Sequence, residues 1–217
     1  MPTLTQYITS TRRLLHDANG TFFSDSELTD YINAGRKRVA IDCGFLRYLE
    51  TISLTAGQET YTLSSVASKG ANSMDLLNVT VLWGSTRIPL QYAPWTQFNA
   101  YFRTWQTNQS RPAIWSNYGS GPTMTFYIQP VPDQTYTCYL DTIYVPNDLV
   151  TSNDADEVVY PFSDAVPYYA AKTAKYKEQN YGEASLFEQQ YKEKAAWALN
   201  AVYTRRLPDP YNQYGAW

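Results

Sequence analysis

Leu4, Tyr7, Ile8, Thr11 and Leu15 recur at helical spacing behind Thr3, a residue able to cap, so the pattern predicts a first helix from about 3 to 16, ended by Asn19-Gly20. Ser24-Asp25-Ser26-Glu27 reads as a capping box. Behind it, Leu28, Tyr31, Ile32, Gly35 and Val39 form one apolar stripe, which predicts a second helix running to Cys43-Gly44. Arg36, Lys37 and Arg38 fall towards its C-terminal end, where cations complement the helix dipole.

From Glu50 the period changes to two. Ile52 and Leu54 alternate with polar residues, Ala56-Gly57 marks a turn, and Tyr61 and Leu63 resume the alternation. Leu77, Val79 and Val81 lead to a Gly84-Ser85 turn and then Ile88-Pro89-Leu90, where the proline predicts an edge strand. Phe126 and Ile128, and then Tyr136, Cys138, Leu140 and Ile143, give further strands, about five to seven in all. Between them, Trp95, Phe98, Phe102 and Trp105 have helical spacing and predict a short helix or crossover on the sheet.

Helical spacing returns after Asp156. Val166, Tyr169, Ala170, Thr173 and Tyr176 form one stripe, with Pro167 tolerable only in a first turn or at a kink. After Asn180-Tyr181-Gly182, the residues Ala184, Phe187, Tyr191, Ala195, Ala198 and Val202 form the next, ending at Arg205-Arg206 before Pro208. The expected fold is α+β: a helical bundle of two N-terminal and two C-terminal helices, an inserted small antiparallel β-sandwich or barrel, and an extended C-terminal arm. The divisions fall at 1–49, 50–150, 151–206 and 207–217.

Composition narrows the function. The 217 residues hold 20 Tyr, 8 Phe and 6 Trp, more rings than one core of this size needs, so part of the aromatic surface is expected to face partners. The net charge of −3 is spread along the chain without a basic segment, which argues against a protein that grips phosphates. Cys43 and Cys138 are too far apart for a ligand motif, and a single histidine, His16, removes most metal sites and histidine triads. Nothing near Met1 reads as a signal peptide, and the apolar stretch 195–202 is too short to span a membrane.

The remaining candidates for chemistry read as structural. His16 and Asp17 are neighbours whose side chains diverge on a helix. Gly119-Ser120-Gly121-Pro122 lacks the Lys-Ser or Lys-Thr of a phosphate loop and reads as a turn. Asp154, Asp156 and Glu157 lack the glycine and terminal glutamate of a calcium loop and read as a solvated linker or helix start. The rings of the β region either pack on each other or stack on sugars, as in a carbohydrate-binding module, with packing favoured.

The C-terminal arm is unusual because disordered tails are poor in aromatics, whereas this one places three rings and two prolines in eleven residues. Burying a ring contributes roughly 1.5–3 kcal/mol, while ordering the backbone costs about 1–2 kcal/mol per residue. The rings alone do not outweigh that cost. Docking would need backbone hydrogen bonds, pre-ordering prolines and several copies acting together, which points to a multivalent assembly.

Several segments resemble the head-to-tail adaptor, neck or connector proteins of tailed bacteriophages. They are Ser24-Asp25-Ser26-Glu27-Leu28 through Tyr31-Ile32-Asn33, Leu54-Thr55-Ala56-Gly57-Gln58-Glu59-Thr60-Tyr61-Thr62-Leu63, Arg111-Pro112, Tyr127-Ile128-Gln129-Pro130-Val131-Pro132-Asp133 and Tyr169-Ala170-Ala171. Each is weak alone, and their order is the specific feature. The resemblance implies a non-enzymatic virion protein without cofactor or metal, sitting in the neck between capsid and tail. It implies a homo-oligomeric ring of about twelve copies, bound to the portal protein on one side and a tail nozzle or tail tube protein on the other. DNA would pass through its lumen without specific binding, and no membrane is involved. Carried onto this chain, the portal-contact candidates are Arg205, Arg206, Pro208, Pro210, Tyr211, Tyr214 and Trp217. The alternative is a carbohydrate- or receptor-binding tail component that uses the β-region aromatics.

Overall fold

The computed structural model describes residues 1–103 and 108–203. The chain divides into a helical unit, formed by Met1–Gly44 and the chain from Pro146 onward, and a β unit, Phe45–Val145. Helix α1 (Leu4–Leu15) buries Leu4, Tyr7, Thr11 and Leu15 and ends at His16, whose φ of 56° provides a left-handed stop. At its start the Thr3 N–H donates to Gln6 Oε1 at 3.0 Å, the backward half of a capping box. Helix α2 (Asp25–Cys43) begins with Ser24 Oγ accepting from the Glu27 N–H at 3.2 Å. The return half of the expected box is not made there, because the Glu27 carboxylate accepts from the Tyr31 hydroxyl and from Lys177 instead. Gly44, at φ 57°, closes α2 and donates to Ala40 O at 2.9 Å.

The β unit contains ten strands among the described residues, more than the alternation predicts because several are only two to four residues long. They are β1 (Arg47–Leu54), β2 (Thr60–Thr62), β3 (Ser73–Trp83), β4 (Thr86–Pro89), β5 (Gln91–Tyr92), β6 (Gln109–Ser110), β7 (Ile114–Tyr118), β8 (Thr125–Gln129), β9 (Val131–Pro132) and β10 (Tyr136–Tyr144). One sheet has the order β1-β10-β3-β4, a second β2-β8-β7-β5, and β6 pairs with β9. Pairing is antiparallel except for β5 with β7 and β6 with β9. Pro89 lies on β4, an edge strand, where its missing N–H costs no ladder bond.

Strand β1 starts at Arg47, before its alternation shows, because Arg47, Tyr48 and Leu49 are all exposed and only Glu50, Ile52 and Leu54 turn inward. In the first sheet Ile52 faces Cys138, which faces Val81. Their side chains join Tyr61, Trp115, Phe126 and Ile128 of the second sheet in one apolar core. Two short helices, α3 (Leu63–Val66) and α4 (Trp95–Gln97), connect strands. Among the described residues the expected crossover helix is α4 followed by a wider helical turn over Phe98–Phe102, and Trp105 lies outside the described residues. At Gly70 a Cβ would lie 2.4 Å from the Leu63 carbonyl oxygen, so only glycine fits.

The chain returns to the helical unit with α5 (Val166–Lys177) and α6 (Tyr181–Tyr203). Pro167 falls in the first turn of α5, where no intrahelical donor is lost. Helix α5 packs against α1, α2 and α6. Small residues permit the close approach: Ala170, Ala171 and Ala174 on α5 and Ala184 and Ala198 on α6 are fully buried. Gly35 does the same for α2, since a Cβ there would meet the Tyr169 side chain at 3.2 Å. No helix among the described residues is long and apolar enough to cross a membrane.

Candidate interaction surfaces

The acidic cluster before α5 is the main correction to the sequence reading. Asp156 is fully buried, not solvated. Its Oδ1 accepts from Arg36 Nε at 2.9 Å and from the Val158 N–H at 2.9 Å, and its Oδ2 accepts from the Tyr7 hydroxyl at 2.6 Å. Arg36 is buried too, so it does not serve as an exposed cation near a helix end. It also donates to Asn33 Oδ1 at 2.9 Å and to the Asn147 carbonyl at 2.7 Å. Asn33 completes the group by donating to Leu149 O at 3.0 Å and accepting from Leu149 N at 2.9 Å. Burial, reinforced by the neighbouring Asp156 carboxylate, pushes the Tyr7 phenol far above its usual range. This network joins α1, α2 and the segment leading into α5.

The other candidates hold local structure. Asp154 accepts from the backbone N–H groups of Val150 and Thr151, both at 2.8 Å, and from the Thr151 hydroxyl. The Thr151 hydroxyl and these backbone donors lower its carboxyl pKa. Asp17, following α1, accepts from the backbone of Thr21, Phe22 and Phe23 and pairs with Arg12 at 3.1 Å. Desolvation works to raise its pKa, but the hydrogen bonds from Phe23, Thr21 and Phe22, with the Arg12 charge, outweigh it and leave it lowered. His16 terminates α1, and Gly119 and Gly121, at φ 83° and 66°, shape a turn. Among the described residues no three His, Cys, Asp or Glu side chains form a metal-binding group.

Two surfaces remain for contact with other chains. On the helical unit, a shallow groove is lined by Tyr160, Asp164, Tyr168, Glu193, Lys194 and Trp197. Tyr160 and Trp197 meet edge to face at 6.3 Å and are 67% and 50% exposed, although rings of this size are normally covered. The groove continues past Asp164, Tyr168 and Lys194 towards Gln6, Ser10 and Arg13 of α1.

On the β unit, some of the surplus rings pack on one another or under a guanidinium, while Tyr92, Tyr101 and Tyr118 remain more than half exposed. Trp95 lies 4.5 Å from Tyr127 and 5.0 Å from Tyr118, between ring centroids. The Arg103 guanidinium stands 5.2 Å over Tyr127 and 5.6 Å from Trp95 while pairing with Glu59 at 3.1 Å. Arg111 covers Trp83 at 4.6 Å, and Arg87 covers Tyr139 at 4.8 Å. Rings whose faces carry a guanidinium are not open sugar platforms.

The seven arm residues Arg205, Arg206, Pro208, Pro210, Tyr211, Tyr214 and Trp217 lie outside the described residues. Sequence reasoning did not single out the helical groove, because Tyr160 and Asp164 precede α5 while Trp197 lies on α6, and only the fold brings the two segments together.

An all-α unit continuous at both ends with an inserted β unit, each presenting rings at its surface, has the features of a protein that works by contact with other chains. The family model for SU10 adaptor protein matches residues 2–212, and the chain therefore belongs to that family of bacteriophage adaptors. The match runs through Arg205, Arg206, Pro208, Pro210 and Tyr211 and stops before Tyr214 and Trp217. No curated protein is matched by the sequence.

Proposed function

We propose that this chain is the subunit of a ring that joins the portal to the tail nozzle or tail tube in the neck of a phage virion, with DNA passing through the ring. The observation that carries the reading is the family match across residues 2–212, which takes in both units and most of the arm. The helices would act as a bundle towards the portal, and the inserted strands as a small sandwich towards the tail. The net charge of −3 supports a lumen along which DNA slides without being held.

In this account Arg205, Arg206, Pro208, Pro210, Tyr211, Tyr214 and Trp217 contact the portal. A single arm gains little after the ordering cost, so attachment depends on about twelve arms engaging one portal ring. Weak individual contacts then give a stable joint only once the ring is complete. The test is co-sedimentation of the full chain, and of a form lacking residues 208–217, with purified portal assemblies. Circular dichroism would verify that the shortened form keeps its helix content. The full chain should co-sediment and the shortened form should not; equal co-sedimentation would remove the arm from the account.

A further inference from the structure

We propose that β1 is the joint between neighbouring copies of this chain, taking the β4 strand of the next copy as a further strand of its sheet. This joint deepens the ring reading of the proposed function and rests on it. The first sheet, in the order β1-β10-β3-β4, has two edges, and the register fixes which backbone groups each presents. Leu46 O accepts from Tyr144 N–H at 3.1 Å, which makes Leu46 and Tyr144 a hydrogen-bonded pair. Bonded pairs alternate along an antiparallel ladder, so Leu49, Thr51 and Ser53 direct their N–H and C=O groups away from β10. All three residues are exposed, and no backbone hydrogen bond reaches those groups among the described residues. Residues 49–54 hold no proline, lysine or bulge of the kind that closes an edge. Their inward charge, Glu50, is already satisfied within the chain, accepting from Ser68 Oγ at 2.7 Å and from the Lys69 N–H at 2.8 Å.

At the other edge the Leu90 N–H donates to Val79 O at 2.9 Å, and the same alternation turns the backbone of Arg87 and Pro89 outward. Strand β4 thus offers one N–H, from Arg87, and the C=O groups of both residues. Three features select the β4 of a second copy as the occupant. Four strands in strict alternation leave β4 antiparallel to β1, so a copy placed head to tail continues the antiparallel pattern. The two edges differ, which makes the joint heterologous, the kind that closes into a ring. One register also suits both edges. With Arg87 opposite Thr51, the two exchange both backbone bonds, and Pro89 falls opposite Leu49. There the missing donor of the proline costs one bond, its C=O accepts from the Leu49 N–H, and its ring covers a leucine that is 56% exposed. On the inner face Ile88 then lies diagonal to Ile52 and to the part-exposed ring of Tyr48.

Three backbone bonds and one covered leucine make a weak joint between two free copies. In a closed ring every copy is held on both sides, and the joints act together. Ring closure also leaves neither edge of the sheet open to other strands. The chain therefore stays separate until a portal gathers enough copies to close the ring.

The test introduces Leu49→Cys and Pro89→Cys together in the full chain, which is mixed with purified portal assemblies and oxidised with copper phenanthroline. Within one chain the two positions lie on opposite edges of the sheet, about 14 Å apart, too far for a disulfide. Opposed across the joint, their Cα atoms would stand about 5.5 Å apart, within disulfide range. Cys43 and Cys138 are buried and take no part. A non-reducing gel should show a ladder of covalent oligomers up to the full ring from the double variant, and monomer alone from either single variant. Adding Thr51→Pro removes an outward N–H without costing a bond to β10, and should abolish the ladder while circular dichroism shows the fold kept. Arg87→Pro removes the matching donor of β4 and gives an independent loss should Thr51→Pro disturb the fold. Electron microscopy of the parent chain on the portal separates the joint from the ring reading. Rings without the ladder, a dimer from Leu49→Cys alone, or a ladder that survives both proline substitutions would overturn the joint alone. Absence of rings from the parent chain would overturn the ring reading and the joint with it.

Discussion

Arg36 on α2 and Asp156, 120 residues further along the chain, form a fully buried ion pair, with Arg36 Nε 2.9 Å from Asp156 Oδ1. The whole β unit lies between them in sequence. The pair thus fastens the helical part before the insertion to the part after it. Its surroundings satisfy both partners: Tyr7 and Val158 donate to the carboxylate, while Asn33 and the Asn147 carbonyl accept from the guanidinium. Buried charges persist in a fold only when they are paired and hydrogen-bonded in this way.

Removing one partner should therefore be severe. Asp156→Ala leaves Arg36 charged and unpaired inside the helical unit, and is expected to cost about 3–5 kcal/mol in urea denaturation. Tyr7→Phe keeps the ion pair and loses one charge-assisted hydrogen bond, with an expected cost of about 1.5–3 kcal/mol. The double substitution Arg36→Met with Asp156→Leu should be much less damaging than Asp156→Ala. An equal or greater loss for the double variant would mean that the pair does more than balance its own charges.

The network was only half legible in the sequence. Arg36 stands four residues after Ile32 and eight after Leu28, on the apolar face of α2, which is a signal of burial. It reads as an exposed cation because Lys37 and Arg38 follow it and together suggest a charged helix end. Asp156 carries no local signal, since its burial depends on α1 and α2 arriving from more than a hundred residues away. The long helices and the alternating strands were readable because each buries one face at a regular period. Strands of two or three residues, such as β5 and β6, are too short to show a period, and the helical groove has no sequence signature at all.

Asp17 gives a pH dependence with a defined sign. Its pKa in the folded chain is lowered, so its stabilisation is complete above the ordinary aspartate pKa, near 3.9, and is lost as pH falls through the lower folded value. Asp17→Asn should reduce stability at pH 7 and flatten the fall in melting temperature between about pH 4 and pH 2. Melting curves over that range check it. An unchanged acid slope would show that other carboxylates, such as Glu27, set the acid limit.

The Gly70 position makes the β unit intolerant of even one added carbon. A Cβ would meet Leu63 O at 2.4 Å and Ser64 Cα at 2.7 Å, both backbone atoms that cannot swing aside. Gly70→Ala is expected to destabilise the β unit by about 1–3 kcal/mol, read as faster hydrogen exchange in β2 and β3. Exchange rates equal to those of the parent would show that the connection between α3 and β3 shifts freely.

Both cysteines should be silent in the folded protein. Burial pushes the Cys43 thiol up to about 11 and the Cys138 thiol up to about 12, and neither is exposed. A thiol reagent at pH 8 should label neither in buffer and both in denaturant. Labelling of Cys138 in buffer would contradict the packing of Ile52, Cys138 and Val81 at the centre of the first sheet.

In the proposed function this adaptor becomes a ring on a portal through its arm. Electron microscopy of the purified full chain mixed with its portal assembly tests it most directly, alongside the form lacking residues 208–217. A ring seated coaxially on the portal is expected with the full chain and bare portals with the shortened one. Bare portals with the full chain, together with binding of the protein to glycans, would contradict it and favour the receptor-binding alternative.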